Sequence, residues 1–316
     1  MENSPPLLSK SGFVAVMGRP NVGKSTLINA LLGQKIAAVS PRPQTTRKRQ
    51  LGILTLERED CSLQAVFIDT PGIHQPRYKL GELMNKEATQ TLEESDLVLF
   101  IVDGSQPPQP EDTLLFNLLN GLKRRVPIIL ALNKIDLLQS SPEQTPKGVD
   151  HQPRNDHRAA YMENLPQAQA VAISATQGDN LPELLETIIA NLPEGDPFFP
   201  KDQLTDLYER EIAADLIRET CLNILRDEVP HGIAVRIDQF TERGETGALI
   251  EATLFVERES HKAIVIGQGG QMIKQIGSVA RQEIENMSGR SIFLQLKVKV
   301  RKNWRNDEKV LRAFGY

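Results

Sequence analysis

The chain has 316 residues, of which 40% are hydrophobic and 25% charged, a composition that suits a soluble globular protein and a length that suggests two domains. No apolar run approaches the roughly 20 residues needed to span a bilayer, and Met1 to Ser11 lack the basic-then-apolar order of a secretory signal. A net charge of −4 excludes a polycation, so any nucleic-acid contact must come from a local basic patch.

After a tail at 1–11, Phe13 to Met17 reads as a buried strand and Lys24 to Leu32 as a helix. Apolar strands are expected at Leu63 to Ile68, Leu97 to Val102, Pro127 to Leu132 and Ala170 to Ile173, with helices at Thr113 to Leu122 and Leu181 to Leu192. Near-continuous apolar strands alternating with helices imply a mostly parallel sheet covered on both faces, a doubly wound α/β domain over 12–193. The polar stretch from Gln139 to His157, rich in Pro, Ser and Gln, reads as a flexible surface insertion.

Residues 194–202 look like a linker, and from 203 to 316 the pattern changes. A long amphipathic helix over Gln203 to Arg226 leads to strands at Ile233 to Phe240 and Ala248 to Val256. A glycine-rich turn, a helix from Gln271 to Met287 and a strand from Ile292 to Val300 follow. This second domain is α+β. Cys61 and Cys221 lack metal-ligand spacing and are expected as reduced, packed thiols.

Gly18-Arg19-Pro20-Asn21-Val22-Gly23-Lys24-Ser25 fits the P-loop pattern, after a strand and at the opening of a helix that continues with Thr26. Its glycines let backbone N–H groups approach phosphates, and the helix adds its positive end. Lys24 is expected on the outer phosphates, and Ser25 on magnesium. Asp69-Thr70-Pro71-Gly72 follows the next strand, so Asp69 can approach the magnesium shell and Gly72 can meet a γ-phosphate and release it after hydrolysis. Asn133-Lys134-Ile135-Asp136 follows another. There Asp136 can accept from guanine N1–H and the 2-amino group, donors that adenine lacks, which selects GTP over ATP. Ser174-Ala175 is expected to present backbone N–H to guanine O6.

The polar segment from Gln34 to Gln50 occupies the place of a first switch loop. Thr46 is the expected hydroxyl for the magnesium shell, with Thr45 the alternative, and Arg47 and Lys48 are left as solvated loop charges. Many GTPases place a glutamine after the Asp-x-x-Gly glycine; here Ile73 cannot orient water, so intrinsic hydrolysis should be slow. Lys24, Thr46, Gly72 and Asn21 form the expected catalytic set. The Asn21 carbonyl could hold a potassium ion against developing charge, or merely stabilise its own loop. His74 is left as polar surface.

In the second domain, Gly267-Gln268-Gly269-Gly270 between apolar runs is a Gly-x-x-Gly loop that could clamp a nucleic-acid backbone. Ile264, Ile266, Ile273 and Ile276 are expected as core contacts around it, and the element order looks like a type II KH domain. Lys262 and Lys274 could flank the loop. Lys297, Lys299 and Arg301 share one face of the last strand and are expected on phosphates rather than as a solvated face. Trp304 is expected to pack within its own domain.

Taken together, the Gly18–Ser25 loop, Thr45-Thr46-Arg47, Asp69-Thr-Pro-Gly-Ile-His74, Leu80-Gly-Glu-Leu-Met-Asn-Lys86, Asn133-Lys-Ile-Asp136 and Ser174-Ala175 resemble the Era GTPases of bacteria, over about Gly12 to Tyr316. The resemblance implies a GTP-hydrolysing, magnesium-dependent ribosome-assembly factor that cycles between GTP and GDP and binds the 3′ end of small-subunit ribosomal RNA. It also implies a cytoplasmic protein with loose membrane association. The insertion is longer and more polar than that family leads one to expect. A monomer is expected, with RNA binding switched by GTP. Ile73 leaves open a second reading, an RNA-binding protein whose nucleotide site is only structural.

Overall fold

The computed structural model describes residues 8–40, 46–58, 61–72, 76, 78–138, 157–244 and 246–316. Most of the expected insertion, together with Thr45, Ile73 and His74, lies outside the described residues. The first sheet contains β1 (Leu8–Met17), β2 (Gln50–Glu57), β3 (Cys61–Asp69), β4 (Leu97–Asp103), β5 (Ile128–Asn133) and β6 (Gln169–Ala172). Their order is β2-β3-β1-β4-β5-β6, with every pairing parallel except that of β2 with β3.

Alternation along the strands divides the packing between two layers. Every residue of β4 is buried; Leu97, Leu99 and Ile101 join one core with Leu27 and Ile28 of α1 (Lys24–Leu32) and Leu184 and Ile188. Val98, Phe100 and Val102 face the other core, with Ala88 and Leu92 of α2 (Lys79–Glu94), Leu115 and Phe116 of α3 (Pro110–Asn120) and Tyr161 of α4 (Arg158–Asn164). The last helix of this layer pair, α5 (Leu181–Asn191), carries Leu184 and Ile188 on one stripe. Such period-2 sorting places helices on both faces of a parallel sheet.

Two expectations change here. Strand β1 starts at Leu8, inside the expected tail, because Leu8 to Ser11 continue the parallel ladder with Cys61 to Gln64. The expected linker is packed rather than free. Gln64 Oε1 accepts from the N–H groups of Phe198 (2.7 Å) and Phe199 (3.0 Å), and Phe198 lies against Phe13. The next residues run along the edge of β2, where Ile53 N–H donates to Leu204 O and Leu51 N–H to Asp206 Oδ1. Pairing that exposed edge delays the helix, so α6 spans Glu209–Ile224 rather than starting at Gln203.

Beyond α6 come β7 (Ala234–Arg243), β8 (Gly247–Val256), α7 (Glu259–Ile266), α8 (Gln271–Ser288), β9 (Ser291–Val300) and α9 (Glu308–Ala313). The sheet order is β7-β8-β9, antiparallel then parallel. Helices α6 and α8 bury Ile212, Leu216, Ile217, Ile276, Ala280 and Ile284 against one face. The apolar run Ala263–Ile266 is part of α7, so its buried side chains follow helical spacing, His261 and Val265. Of the four expected core contacts only Ile276 is buried, while Ile264 remains 48% exposed. Cys221 is a buried free thiol whose pKa burial pushes up to about 12; the Cys61 side chain lies outside the described residues.

The two halves share a third core. Leu80 and Met84 of α2 pack with Ala234, Phe255, Trp304, Val310 and Leu311. Trp304 is fully buried there and donates Nε1–H to Gly232 O at 2.9 Å.

Candidate functional site

Between Met17 and Lys24 the chain leaves β1 and enters α1 around a cavity of about 420 Å³. Gly23 has φ 103°, and a Cβ there would sit 2.3 Å from Asn133 Nδ2, so glycine is needed both for the turn and for the close approach. Lys24 is 8% exposed, and its ammonium donates to Gly18 O (3.0 Å) and Arg19 O (3.2 Å). Burial lowers the Lys24 pKa, with the Asp69 charge opposing. Burial likewise raises that of Asp69, against Lys24, Ser25 and Thr46. A buried ammonium in this position favours a polyanion such as a nucleotide phosphate chain.

Three oxygens converge beside it. Ser25 Oγ donates to Asp69 Oδ2 at 2.7 Å, Thr46 Oγ1 donates to the same atom at 3.1 Å, and the two hydroxyls lie 3.1 Å apart. Asp69 Oδ1 is buried without a hydrogen-bond partner. Hard oxygens around an unsatisfied carboxylate fit magnesium, which takes few protein ligands and completes its shell with phosphate and water. Gly72 borders the cavity against Pro20, where an added Cβ would come within 3.2 Å of three Pro20 atoms. Asn21 also lines the cavity, with φ 65°.

At the far end Asp136 borders the cavity, and its Oδ1 accepts from Ser174 Oγ at 2.7 Å. Lys134 lies along the wall with φ 70°, its ammonium 2.8 Å from Asp103 Oδ2. Burial works against the Asp103 carboxylate, but Lys134 and Ser105 outweigh it and hold its pKa below the usual range. Asn133 is a strut: Nδ2–H donates to Val22 O (2.7 Å), and Oδ1 accepts from Ala175 N–H (2.9 Å).

Several expected nucleotide contacts change. The Ser174 N–H is taken by Asp179 O and the Ala175 N–H by Asn133 Oδ1, so neither is offered to guanine O6 here. Arg19 lies outside the lining: its side chain is mostly buried against Asp112 (3.4 Å), and its carbonyl accepts from the Lys24 ammonium. Thr70 Oγ1 donates to Val16 O at 2.8 Å, anchoring the second switch to β1. Gly18, Val22 and Pro71 shape the wall from outside the lining, whereas Thr26 is on it. Ala38, Val39, Ser40, Leu137 and Thr176 also line the cavity. Thr176 adjoins Ser174-Ala175 and was within reach of the motif; the others carry no chemistry that sequence reasoning could single out.

The second candidate site is the loop between α7 and α8. Gly267, Gly269 and Gly270 have φ of 73°, 57° and 78°; a Cβ at Gly267 would meet Met272 Cβ at 2.6 Å, while Gly269 and Gly270 face open space. Gln268 is exposed, Lys262 is half-buried on α7, and Lys274 is exposed one turn into α8. Backbone can therefore approach this loop from outside. The basic run is elsewhere. Leu294, Leu296, Val298 and Val300 pack toward the helices, so Lys297, Lys299 and Arg301 belong to the opposite face of β9. Lys297 pairs with Glu251 at 2.7 Å, and Arg301 with Asp307 at 3.7 Å. These three do not flank the glycine loop, because strand alternation sends them to the other side of the sheet.

A family described as 50S ribosome-binding GTPase matches residues 13–134, and one described as KH domain matches 228–305. GTPase Era of Heliobacterium modesticaldum is 42% identical over 307 residues, 97% of this chain and 97% of that protein. This chain belongs to the Era family of GTPases. Among solved structures, an Aquifex aeolicus Era variant bound to GDP·AlF4− is similar at 40% identity and a TM-score of 0.87, covering 97% of this chain and 99% of that one. Era in complex with MgGDPNP and nucleotides 1506–1542 of 16S ribosomal RNA is similar at the same identity and TM-score, covering 98% and 99%. Family membership makes the chain a GTPase with a P-loop domain and a KH domain. No helix among the described residues is long and apolar enough to cross a membrane.

Proposed function

We propose that this Era family member binds GTP with magnesium in the 420 Å³ cavity, hydrolyses it, and uses the state of that site to control binding of small-subunit ribosomal RNA near its 3′ end during ribosome assembly. The observation that carries the nucleotide half is the convergence of Ser25, Thr46 and Asp69 beside Lys24. Those three residues would hold magnesium, which when bound neutralises charge on the β- and γ-phosphates. Lys24 neutralises the outer phosphates, and Gly72 brings a backbone amide to their edge. Asp136, fixed by Ser174, accepts from guanine. Asn21 offers a carbonyl to a potassium ion at the phosphates, taking the part of an arginine finger. The RNA half rests on the open glycine loop and on the ribosomal RNA held by the similar Era structure. We take the protein as a cytoplasmic monomer; loose membrane association rests on the family resemblance alone.

The test is GTP turnover in potassium and in sodium, with and without RNA from the 3′ end of small-subunit ribosomal RNA. Turnover stimulated by RNA and by potassium is expected, and Lys24→Ala should lower it by about a hundredfold or more without unfolding. Equal rates in both salts would remove the role of Asn21. Turnover indifferent to RNA would remove the coupling.

A further inference from the structure

The residue after Thr46 leaves the nucleotide site and enters the KH domain. Arg47 is 4% exposed, not the solvated loop charge expected from the sequence. Its Nη1 donates to Ile233 O and its Nη2 to His231 O, each at 2.8 Å, and its guanidinium lies 5.6 Å from the Trp304 ring centroid. The carbonyl between those two acceptors, Gly232 O, takes the Trp304 Nε1–H bond. Arg47 and Trp304 thus grip the end of one turn, Pro230–Gly232, by three successive carbonyls, those of His231, Gly232 and the residue that closes it, Ile233. One peptide unit away, Thr46 Oγ1 stands 3.1 Å from Asp69 Oδ2 and from Ser25 Oγ.

We infer that Arg47 is a positioning residue through which the KH domain holds Thr46 at the magnesium site. Residues 46 and 47 are adjacent, so a side chain anchored at its two terminal guanidinium nitrogens, with Nε buried and unpaired, restricts the backbone that carries the threonine hydroxyl. A buried guanidinium on two carbonyls is a charge-assisted pair of bonds that leaves costly unsatisfied acceptors when removed. The anchor matters for one ligand state in particular. A switch-loop threonine joins the magnesium shell only when a γ-phosphate is present, so losing the anchor should weaken GTP binding and spare GDP. The linkage is reciprocal: magnesium and GTP analogue, by fixing Thr46, stabilise the grip on the Pro230–Gly232 turn. Trp304 is the one tryptophan of the sequence, so its fluorescence reports that grip.

This inference rests on the reading of Thr46 as a magnesium-shell hydroxyl, and the experiment separates the two. Affinities for GDP and a non-hydrolysable GTP analogue are measured against magnesium concentration in wild type, Arg47→Ala, Arg47→Lys, Thr46→Ala and Lys35→Ala, with Trp304 emission recorded in each. Lys35 makes a different contact between the domains, with Glu219 at 3.0 Å and Glu283 at 2.8 Å, and serves as the control for general loosening. Arg47→Ala is expected to raise the magnesium needed for analogue binding about tenfold, a loss of one or two charge-assisted bonds, with GDP affinity within about twofold. Arg47→Lys, which keeps charge but not the fork, should lie between, and guards against a misfolded alanine variant. The magnesium-dependent change in Trp304 emission should be lost in Arg47→Ala and kept in Lys35→Ala. If Thr46→Ala shifts the magnesium dependence and both Arg47 variants do not, the positioning role is wrong while the magnesium reading stands. If Thr46→Ala has no effect, both fall. An equal shift in Lys35→Ala, or equal weakening of GDP and analogue by Arg47→Ala, would also overturn the inference.

Discussion

Asp136 carries the choice of base, and its chemistry makes that choice testable. An anionic carboxylate accepts from both guanine donors; an amide in its place can accept only one and presents a donor to the other. Asp136→Asn should therefore weaken GTP by about a hundredfold or more, and xanthosine triphosphate, which has an oxygen at the 2-position, should compete better than GTP. Competition binding reads this directly, and unchanged preference for GTP would remove Asp136 from base recognition. Asn133 has a different task. Because its carboxamide joins Val22 O to Ala175 N–H, Asn133→Ala leaves two buried groups unpaired, at a cost of about 1–3 kcal/mol for each group left so. Its melting temperature should fall even without nucleotide, which an exposed contact residue would not show. The motif made Asn133 legible as important, but its geometry could not be read there: the partners lie 111 and 42 positions away.

At the scale of elements, β4 was legible almost to the residue because an all-apolar run admits one reading in this setting. Strand β2 was not. Its sequence, Gln50-Leu-Gly-Ile-Leu-Thr-Leu-Glu57, follows a polar switch segment, and its antiparallel pairing to β3 supplies the order that local pattern lacks. Helix α7 was missed for the opposite reason: eight residues with four apolar ones in a row carry no helical spacing, and only the packing of His261 and Val265 sets the phase. The glycine loop after it was legible, and it predicts a clean separation. Gly269 and Gly270 have positive φ and open space beyond, and aspartate is among the residues that tolerate such backbone best. Replacing both by aspartate should preserve the fold, judged by circular dichroism, while lowering RNA affinity at least about tenfold through repulsion of phosphate. Replacing Lys297 and Lys299 by alanine tests the other face of the sheet. Their placement away from the loop predicts a smaller loss, with a shallower salt dependence if they touch phosphate at all.

For the whole molecule, the division into two modules was legible and their attachment was not. A stretch rich in proline and glycine between two patterns reads as a linker, yet residues 194–206 bridge the edge of the first sheet through Gln64, Ile53 and Leu51. The shared core around Trp304, together with the Lys35 pairs, leaves few ways for one domain to move without the other responding. The third core draws Leu80 and Met84 from α2, the helix that follows the second switch. Arg47 brings in the first. Arg47 from the first switch and α2, which follows the second, therefore both rest on the KH domain, and we propose that nucleotide state and RNA binding are one equilibrium. The direct test is the affinity of a 3′ small-subunit ribosomal RNA fragment, at one fixed salt concentration, for the protein with GTP analogue and magnesium, with GDP, and without nucleotide. Tighter binding in the analogue state, by about fivefold or more as coupling of this kind supplies, is the predicted result. Equal affinity in all three states would contradict the account.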